Sequence, residues 1–274
     1  MTARWTAPLR PGAGARGRVV VVPHAGAGPH ALMPVLAHLP PWVEVVGVTL
    51  PGRERRFAES PERTASDPGA VVGAVLAEIG ALPPLPTVLF GHSMGAALAA
   101  SLASADPQSF VGLVLSAYPS AGTAAERAGR WPEPDLLALV RRGGGTPDDV
   151  VRSPAWRHHL LQLLRSDLTL GVRLACGVDP GRLAVPVTVL AGSADDVARP
   201  PSAVGWSASA RIRTLPGGHF YLLAEENRPA VAAEVVDAFR LVDARVPARA
   251  GPAPGPGLPA ADARRSRPAG AAHG

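Results

Sequence analysis

The sequence predicts an α/β protein whose mostly parallel central sheet is flanked by helices. Two observations carry most of that expectation. Continuous apolar or β-branched runs, Val19 to Val22, Val43 to Leu50 and Val111 to Ser116, read as strands buried on both faces. Stretches with apolar residues at helical spacing alternate with them, and a β-α-β-α-β-α-β rhythm implies parallel strands joined by helical crossovers. A third observation is local: the apolar run Val88-Leu89-Phe90 passes through a glycine-flanked turn into the small-residue run Ala96 to Ala100.

The elements follow in order. Arg18 to Val22 is a strand leading into the glycine-rich loop Pro23-His24-Ala25-Gly26-Ala27-Gly28. Such a loop can turn a backbone N–H toward a ligand, and the G-K-[ST] ending of a phosphate loop is absent. Pro29 to Leu39 carries Leu32, Val35, Leu36 and Leu39 at helical spacing. Val43 to Leu50 is the second strand, followed by the charged loop Pro51-Gly52-Arg53-Glu54-Arg55-Arg56. Asp67 to Leu82 is a helix with Asp67 or Ser66 as N-cap and Pro68 in its first turn. Residues 119–180 break the rhythm with short helical stretches: Glu133 to Arg142, Ser153 or Pro154 to Leu164, and Leu168 to Leu174. Gly143-Gly144-Gly145 reads as a hinge among them. An insert of this kind at the carboxyl edge of a parallel sheet lies where ligands bind, and it is expected to form a lid. The sheet resumes at Val185 to Leu190 and ends with Arg211 to Leu215, before a closing helix over Asn227 to Val242.

The expected organisation is therefore an N-terminal extension over 1–17, one domain over 18–246, and a Pro/Gly/Ala/Arg tail over 247–274. The tail holds almost no large apolar residue to offset its ordering entropy, so disorder is expected there.

Composition narrows the function. Apolar residues make up 47% of the 274 positions, enough for a sizeable core. The net charge is +5, but the segment from Ala248 onward supplies +3 of it, so the body is near neutral and a nucleic-acid footprint is not expected. The lone cysteine, Cys176, excludes an internal disulfide, fits a reducing compartment, and reads as a buried or inert thiol. No signal peptide or membrane span is evident. A cytoplasmic monomer is expected, with no metal and no cofactor.

The chemistry-bearing motif is Gly91-His92-Ser93-Met94-Gly95, a G-x-S-x-G between a strand and a helix. So sharp a reversal strains the central residue and lifts its side chain clear of the sheet, with a helix N-terminus beneath it. A serine hydroxyl needs a neighbouring base, and an imidazole held by a carboxylate is the usual one. Ser93, Asp195 and His219 follow in the order Ser, acid, His, each after a strand, which is the α/β-hydrolase order. Gly217-Gly218 lets the last loop bring His219 close. Asp196, adjacent to Asp195, and Asp167, in the lid segment, are alternative acids; a helix cap or ion pair is the plainer role for Asp167. The oxyanion is expected on the N–H groups of Met94 and Ala25. The mechanism implied is two-step acyl transfer.

In this order the motifs resemble the type II thioesterases of polyketide and nonribosomal-peptide assembly lines. The resemblance runs from about Val19 to Phe239. It is carried by Pro23-His24-Ala25-Gly26, Leu50-Pro51-Gly52-Arg53, Gly91-His92-Ser93-Met94-Gly95-Ala96, Leu164-Arg165-Ser166-Asp167, and Gly217-Gly218-His219-Phe220-Tyr221-Leu222. It implies an α/β-hydrolase with a helical lid. It also implies hydrolysis of aberrant acyl groups from the phosphopantetheine arm of acyl or peptidyl carrier domains. Ser93 and His219 carry over directly. Asp195 aligns with the family's acid in a Gly-Asp-x-Asp-Pro stretch, where this chain has Ser193 for the first Asp and Asp196 for Pro. The preference for a thioester over an ester rests on the resemblance alone. Arg53, Arg55 and Arg56 are candidate carrier contacts. A general carboxylesterase or acyl-CoA thioesterase, and a binding protein without turnover, are the competing readings.

Overall fold

The computed structural model describes residues 4–12, 14–119, 131–143, 146, 148–180, 183–199, 205–207 and 209–240. Seven strands form one sheet: β1 Thr6–Arg10, β2 Gly17–Val22, β3 Val43–Val48, β4 Thr87–His92, β5 Gly112–Ser116, β6 Val187–Gly192 and β7 Arg211–Leu215. Their spatial order is β1-β3-β2-β4-β5-β6-β7, and every pairing is parallel except β1 with β3. The expected α/β-hydrolase sheet is thus present, with β2 and β4 at its centre.

The helices are α1 Met33–Leu36, α2 Glu62–Ser66, α3 Pro68–Gly80, α4 Met94–Ala105, α5 Glu133–Gly143, α6 Asp148–Arg152, α7 Pro154–Gly177 and α8 Arg228–Arg240. Because side chains alternate across a strand, each buried strand feeds two cores. Val20, Val22, Leu89 and Leu113 face α3, α4 and α7, while Val19, Val21, Val88 and Val114 face α1 and α8. α3 begins as its sequence asks: the Asp67 carboxylate accepts the Ala70 N–H at 2.9 Å, with Pro68 in the first turn.

Two segments differ from the sequence reading. The stretch expected to be an N-terminal extension contributes β1, which covers the edge of β3 and is anchored from outside the sheet. Glu78 accepts the N–H groups of Trp5 and Thr6 at 2.9 and 2.8 Å, and Arg56 lies 3.8 Å over the Trp5 ring. Only long-range partners make this short, alternating-poor stretch a strand, so nothing local announces it. The helices expected over 153–164 and 168–174 are one 24-residue helix, α7. The polar run Arg165-Ser166-Asp167 reads as a gap, yet it contains no helix breaker. Ser166 and Asp167 are buried because other segments satisfy them: Ser166 Oγ reaches the Pro61 carbonyl and lies 3.1 Å from Thr64 Oγ1.

At the far edge, β7 is mostly exposed, and Arg211 and Arg213 both pair with Glu234 of α8. Charged side chains on an edge strand discourage pairing with another chain. The expected hinge residues Gly144 and Gly145, residues 120–130 of the lid segment, and the tail lie outside the described residues. Cys176 is exposed rather than buried, on the outer face near the end of α7.

Candidate active site

β4 ends at His92, and Ser93 follows at φ 54°, ψ −130°, a conformation L-residues rarely adopt. The surroundings over-determine it. Ser93 N–H donates to the Ser116 carbonyl of β5 at 2.8 Å, and the Ser93 carbonyl accepts the Ala96 N–H at 2.8 Å. A side chain at position 91 would strike the Gly95 carbonyl, and one at position 95 would strike the Val22 carbonyl. Both glycines are therefore steric requirements of the turn. Met94 is the first residue of α4, so its N–H has no acceptor within the helix and stands beside the serine.

The two downstream loops are stitched together. A Cβ at Gly192 would collide with the Gly218 carbonyl, Ala194 N–H donates to the Gly217 carbonyl at 2.9 Å, and Gly217 sits at φ +118°. This close approach delivers His219 to Asp195: Nδ1 lies 2.9 Å from Asp195 Oδ2, and Nε2 lies 2.9 Å from Ser93 Oγ. The remaining Asp195 oxygen accepts the N–H groups of Val197 and Ala198, both at 2.8 Å, so the buried carboxylate cannot turn away. Asp196 is exposed and borders the cavity above Ser93, without a contact to the His219 ring. Asp167 lies elsewhere, on α7, paired with Arg53.

Beneath the relay is a cluster of rings. His92 Nδ1 meets Ser116 Oγ at 2.9 Å, and Ser116 Oγ meets the Tyr221 hydroxyl at 2.7 Å. His24 and His92 stack edge-on at 5.7 Å, and His92 lies 5.3 Å from the His219 ring. Burial, with the positive charge of a protonated His219 and of Arg53 added to it, pushes the His24 imidazole down to about 3. Burial first, and then the neighbouring His219 and His24 imidazoles, hold His92 well below its ordinary value. Both rings are thus neutral near pH 7, and they crowd His219 without competing for its proton.

Above Ser93 opens a cavity of about 620 Å³, walled by Trp131, Val140, Leu160, Leu164 and Leu168 and floored by Ser93 and His219. Its lining is mainly apolar, suited to an alkyl or acyl chain.

A family model described as a thioesterase domain matches residues 17–239. The chain belongs to the thioesterase family. It is 32% identical over 259 residues to the "Probable cadicidin biosynthesis thioesterase" of Streptomyces griseus, covering 92% of this chain and 68% of that one. Its fold matches the type II thioesterase BorB of the borrelidin biosynthetic cluster at TM-score 0.70 and 28% identity, over 86% of this chain and 98% of that one. RedJ, the thioesterase of the prodiginine pathway in Streptomyces coelicolor, matches at TM-score 0.71 and 29% identity, over 83% and 92% of the two chains. Its sheet and flanking helices have the α/β-hydrolase fold.

In this thioesterase two of the three arginines named as candidate carrier contacts, Arg53 and Arg56, are buried in ion pairs. Arg53 is buried in a two-pronged pair with Asp167, and Arg56 is buried against Glu59 and the Trp5 ring. Arg55 donates to the Arg4 and Trp5 carbonyls at 3.2 and 2.8 Å. The loop folds back over its own chain, so two of the three guanidiniums face inward. Sequence reasoning also missed the Ser116–Tyr221 support under His92. No local signal marks it, since the two hydroxyls are 105 residues apart. Among the described residues, no group of three or more His, Cys, Asp or Glu could hold a metal ion, and no helix is long and apolar enough to cross a membrane.

Proposed function

We propose that this thioesterase hydrolyses acyl thioesters held on the phosphopantetheine arm of carrier domains. Its role is editing in polyketide or nonribosomal-peptide biosynthesis. Ser93 Oγ attacks the thioester carbonyl while His219 Nε2 takes its proton, and Asp195 holds the imidazole in the required tautomer. The tetrahedral oxyanion rests on the N–H groups of Met94 and Ala25, each such donor being worth about 3–4 kcal/mol in the transition state. His219 then protonates the departing thiolate, and a water activated by the same ring releases the free acid. The observation that carries this reading is the continuous relay from Ser93 to His219 to Asp195, with both contacts at 2.9 Å, at the floor of an apolar cavity.

The test pairs labelling with turnover. A fluorophosphonate should add to Ser93, and Ser93→Ala should lower hydrolysis of acyl-loaded carrier domains by at least ~10³-fold. Acyl-carrier substrates should be turned over faster than the same acyl groups on coenzyme A or simple esters. Full turnover by the alanine variant, or a clear preference for simple esters, rejects the proposal. Wild-type labelling with no hydrolysis of any ester or thioester would point to a binding protein instead.

A further inference from the structure

The carboxylate of Asp167 is fully enclosed on α7, yet it stands outside the Ser93 relay. Its two oxygens meet three donors. Arg53 grips it with Nη1 at 2.5 Å and Nη2 at 2.8 Å, and the Gly26 N–H donates to it at 2.7 Å. Arg53 is itself fastened by the Pro51 carbonyl, 3.1 Å from Nη2, and it also reaches the Ala27 carbonyl at 3.3 Å. Residues 53, 26 and 167 are far apart in the chain, so this buried cluster joins the loop after β3, the loop after β2 and the helix over the cavity.

The loop after β2 is the one that carries Ala25. Ala27 N–H donates to the His24 carbonyl at 3.2 Å, and Gly26 sits at φ +81°. That is the pattern of a type II turn with glycine at its third position. Type I and type II turns differ by a flip of the middle peptide, here Ala25–Gly26, which reverses the direction of the Gly26 N–H. Only one of the two orientations hands that N–H to Asp167. In the other that N–H turns away from the carboxylate and loses its charged acceptor.

We infer that Asp167, aligned by Arg53, is a positioning residue for catalysis: by tying down Gly26 it holds the adjoining His24–Ala25 peptide in place, so that the Ala25 N–H faces the oxyanion formed at Ser93. The inference rests on the serine-hydrolase reading above. A charged acceptor suits the task, because hydrogen bonds to an ionised group are shorter and stronger than neutral ones. The fork of Arg53 supplies the counter-charge and fixes the plane of the carboxylate.

Removing Asp167 alone strands a buried guanidinium, which can cost the fold itself. Two double variants avoid this. Arg53→Met with Asp167→Leu removes both charges and leaves the Gly26 N–H without an acceptor. Arg53→Met with Asp167→Asn removes both charges but keeps a carbonyl for that N–H. The first should lose kcat by about 100-fold with KM within about threefold, the signature of a lost transition-state donor. The second should recover at least about tenfold of that loss at a similar Tm. Affinity for a trifluoromethyl ketone thioether, which forms a tetrahedral oxyanion on serine, should fall and recover in parallel. Equal kcat in the two double variants, or kcat at the wild-type level in the first, overturns the inference. An independent arm needs no variant: in the wild-type protein phosphonylated at Ser93, the phosphoryl oxygen should sit about 2.7–3.1 Å from the Ala25 nitrogen with the Gly26–Asp167 bond intact. An Ala25 N–H turned away from the adduct overturns it too. Hydrolysis by Ser93→Ala would instead defeat the serine-hydrolase reading, so the two failures are distinguishable.

Discussion

At Ser93 the backbone holds a conformation that costs of order 1–3 kcal/mol, and the neighbouring strands keep it there. Ser93→Ala retains a Cβ and therefore the strain, whereas Ser93→Gly releases it. The glycine variant should be more stable than the alanine variant by about 1 kcal/mol in urea unfolding, and neither should hydrolyse substrate. Equal midpoints would mean the turn is relaxed. A second expectation concerns acid. His24 is pushed down to about 3 by burial first and by neighbouring positive charge second, and His92 is lowered by the same causes. Their unfolded values lie near 6.5, so on acidification the unfolded chain binds protons that the folded chain refuses. Stability is fully present above pH ~6.5 and falls below it, by up to ~1.4 kcal/mol per pH unit for each ring. His24→Gln should flatten that decline between pH 6.5 and 4 in urea midpoints, and an undiminished slope would show that other groups cause it. At this scale the proposed nucleophile, base and oxyanion donors, Ser93, His219, Met94 and Ala25, are each named from a short motif, because each sits in a turn or loop flanked by its own strand in the chain. Chain order favours Asp195 as the acid, but Asp196 and Asp167 stay open as alternatives, because which carboxylate meets an imidazole depends on loop geometry.

Among the elements, α7 does most to shape the site. Leu160, Leu164 and Leu168 recur every fourth residue along it and wall the cavity, while Asp167 faces the loop after β2. Leu160→Trp should shorten the accepted chain. We expect kcat/KM for the longest acyl groups that the wild type takes to drop about tenfold, and that for acetyl to stay within about twofold. A uniform loss across chain lengths would place Leu160 outside the acyl path. The helix periodicity was legible on both sides of residues 165–167, but its continuity was not. Ser166 and Asp167 are polar residues inside a helix, and they are tolerated because Pro61, Thr64 and Arg53 arrive from elsewhere to satisfy them.

For the molecule as a whole, the sheet is the frame that converts sequence order into a site. Each functional loop leaves the carboxyl end of a parallel strand, so β2, β4, β6 and β7 present Ala25, Ser93, Asp195 and His219 at one edge. The β1 edge has its own consequence. Deleting residues 1–10 would uncover the Val45, Val46 and Val48 backbone of β3 and free Glu78 and Arg56 from their Trp5 and Thr6 partners. We expect a loss of about 2–3 kcal/mol, a Tm lower by roughly 5–10 °C, and concentration-dependent aggregation through the bared strand. A monomeric truncated protein with an unchanged Tm would show that β1 is dispensable.

The buried runs, the crossover rhythm and the serine turn could be read from the chain alone, since each is written in residues that touch their own near neighbours. Hydrophobic period and glycine sterics act over a few positions, and they are enough to choose the fold and to raise Ser93 from it. Folding had to settle the remainder: that His219 crosses 126 residues to meet Ser93, that Asp195 rather than its neighbour turns toward the ring, and that Arg53 spans 114 residues to Asp167. Those contacts are set by how strands stack and loops close. Their free energy lies in burial and mutual satisfaction of polar groups, which exist only once distant segments have met.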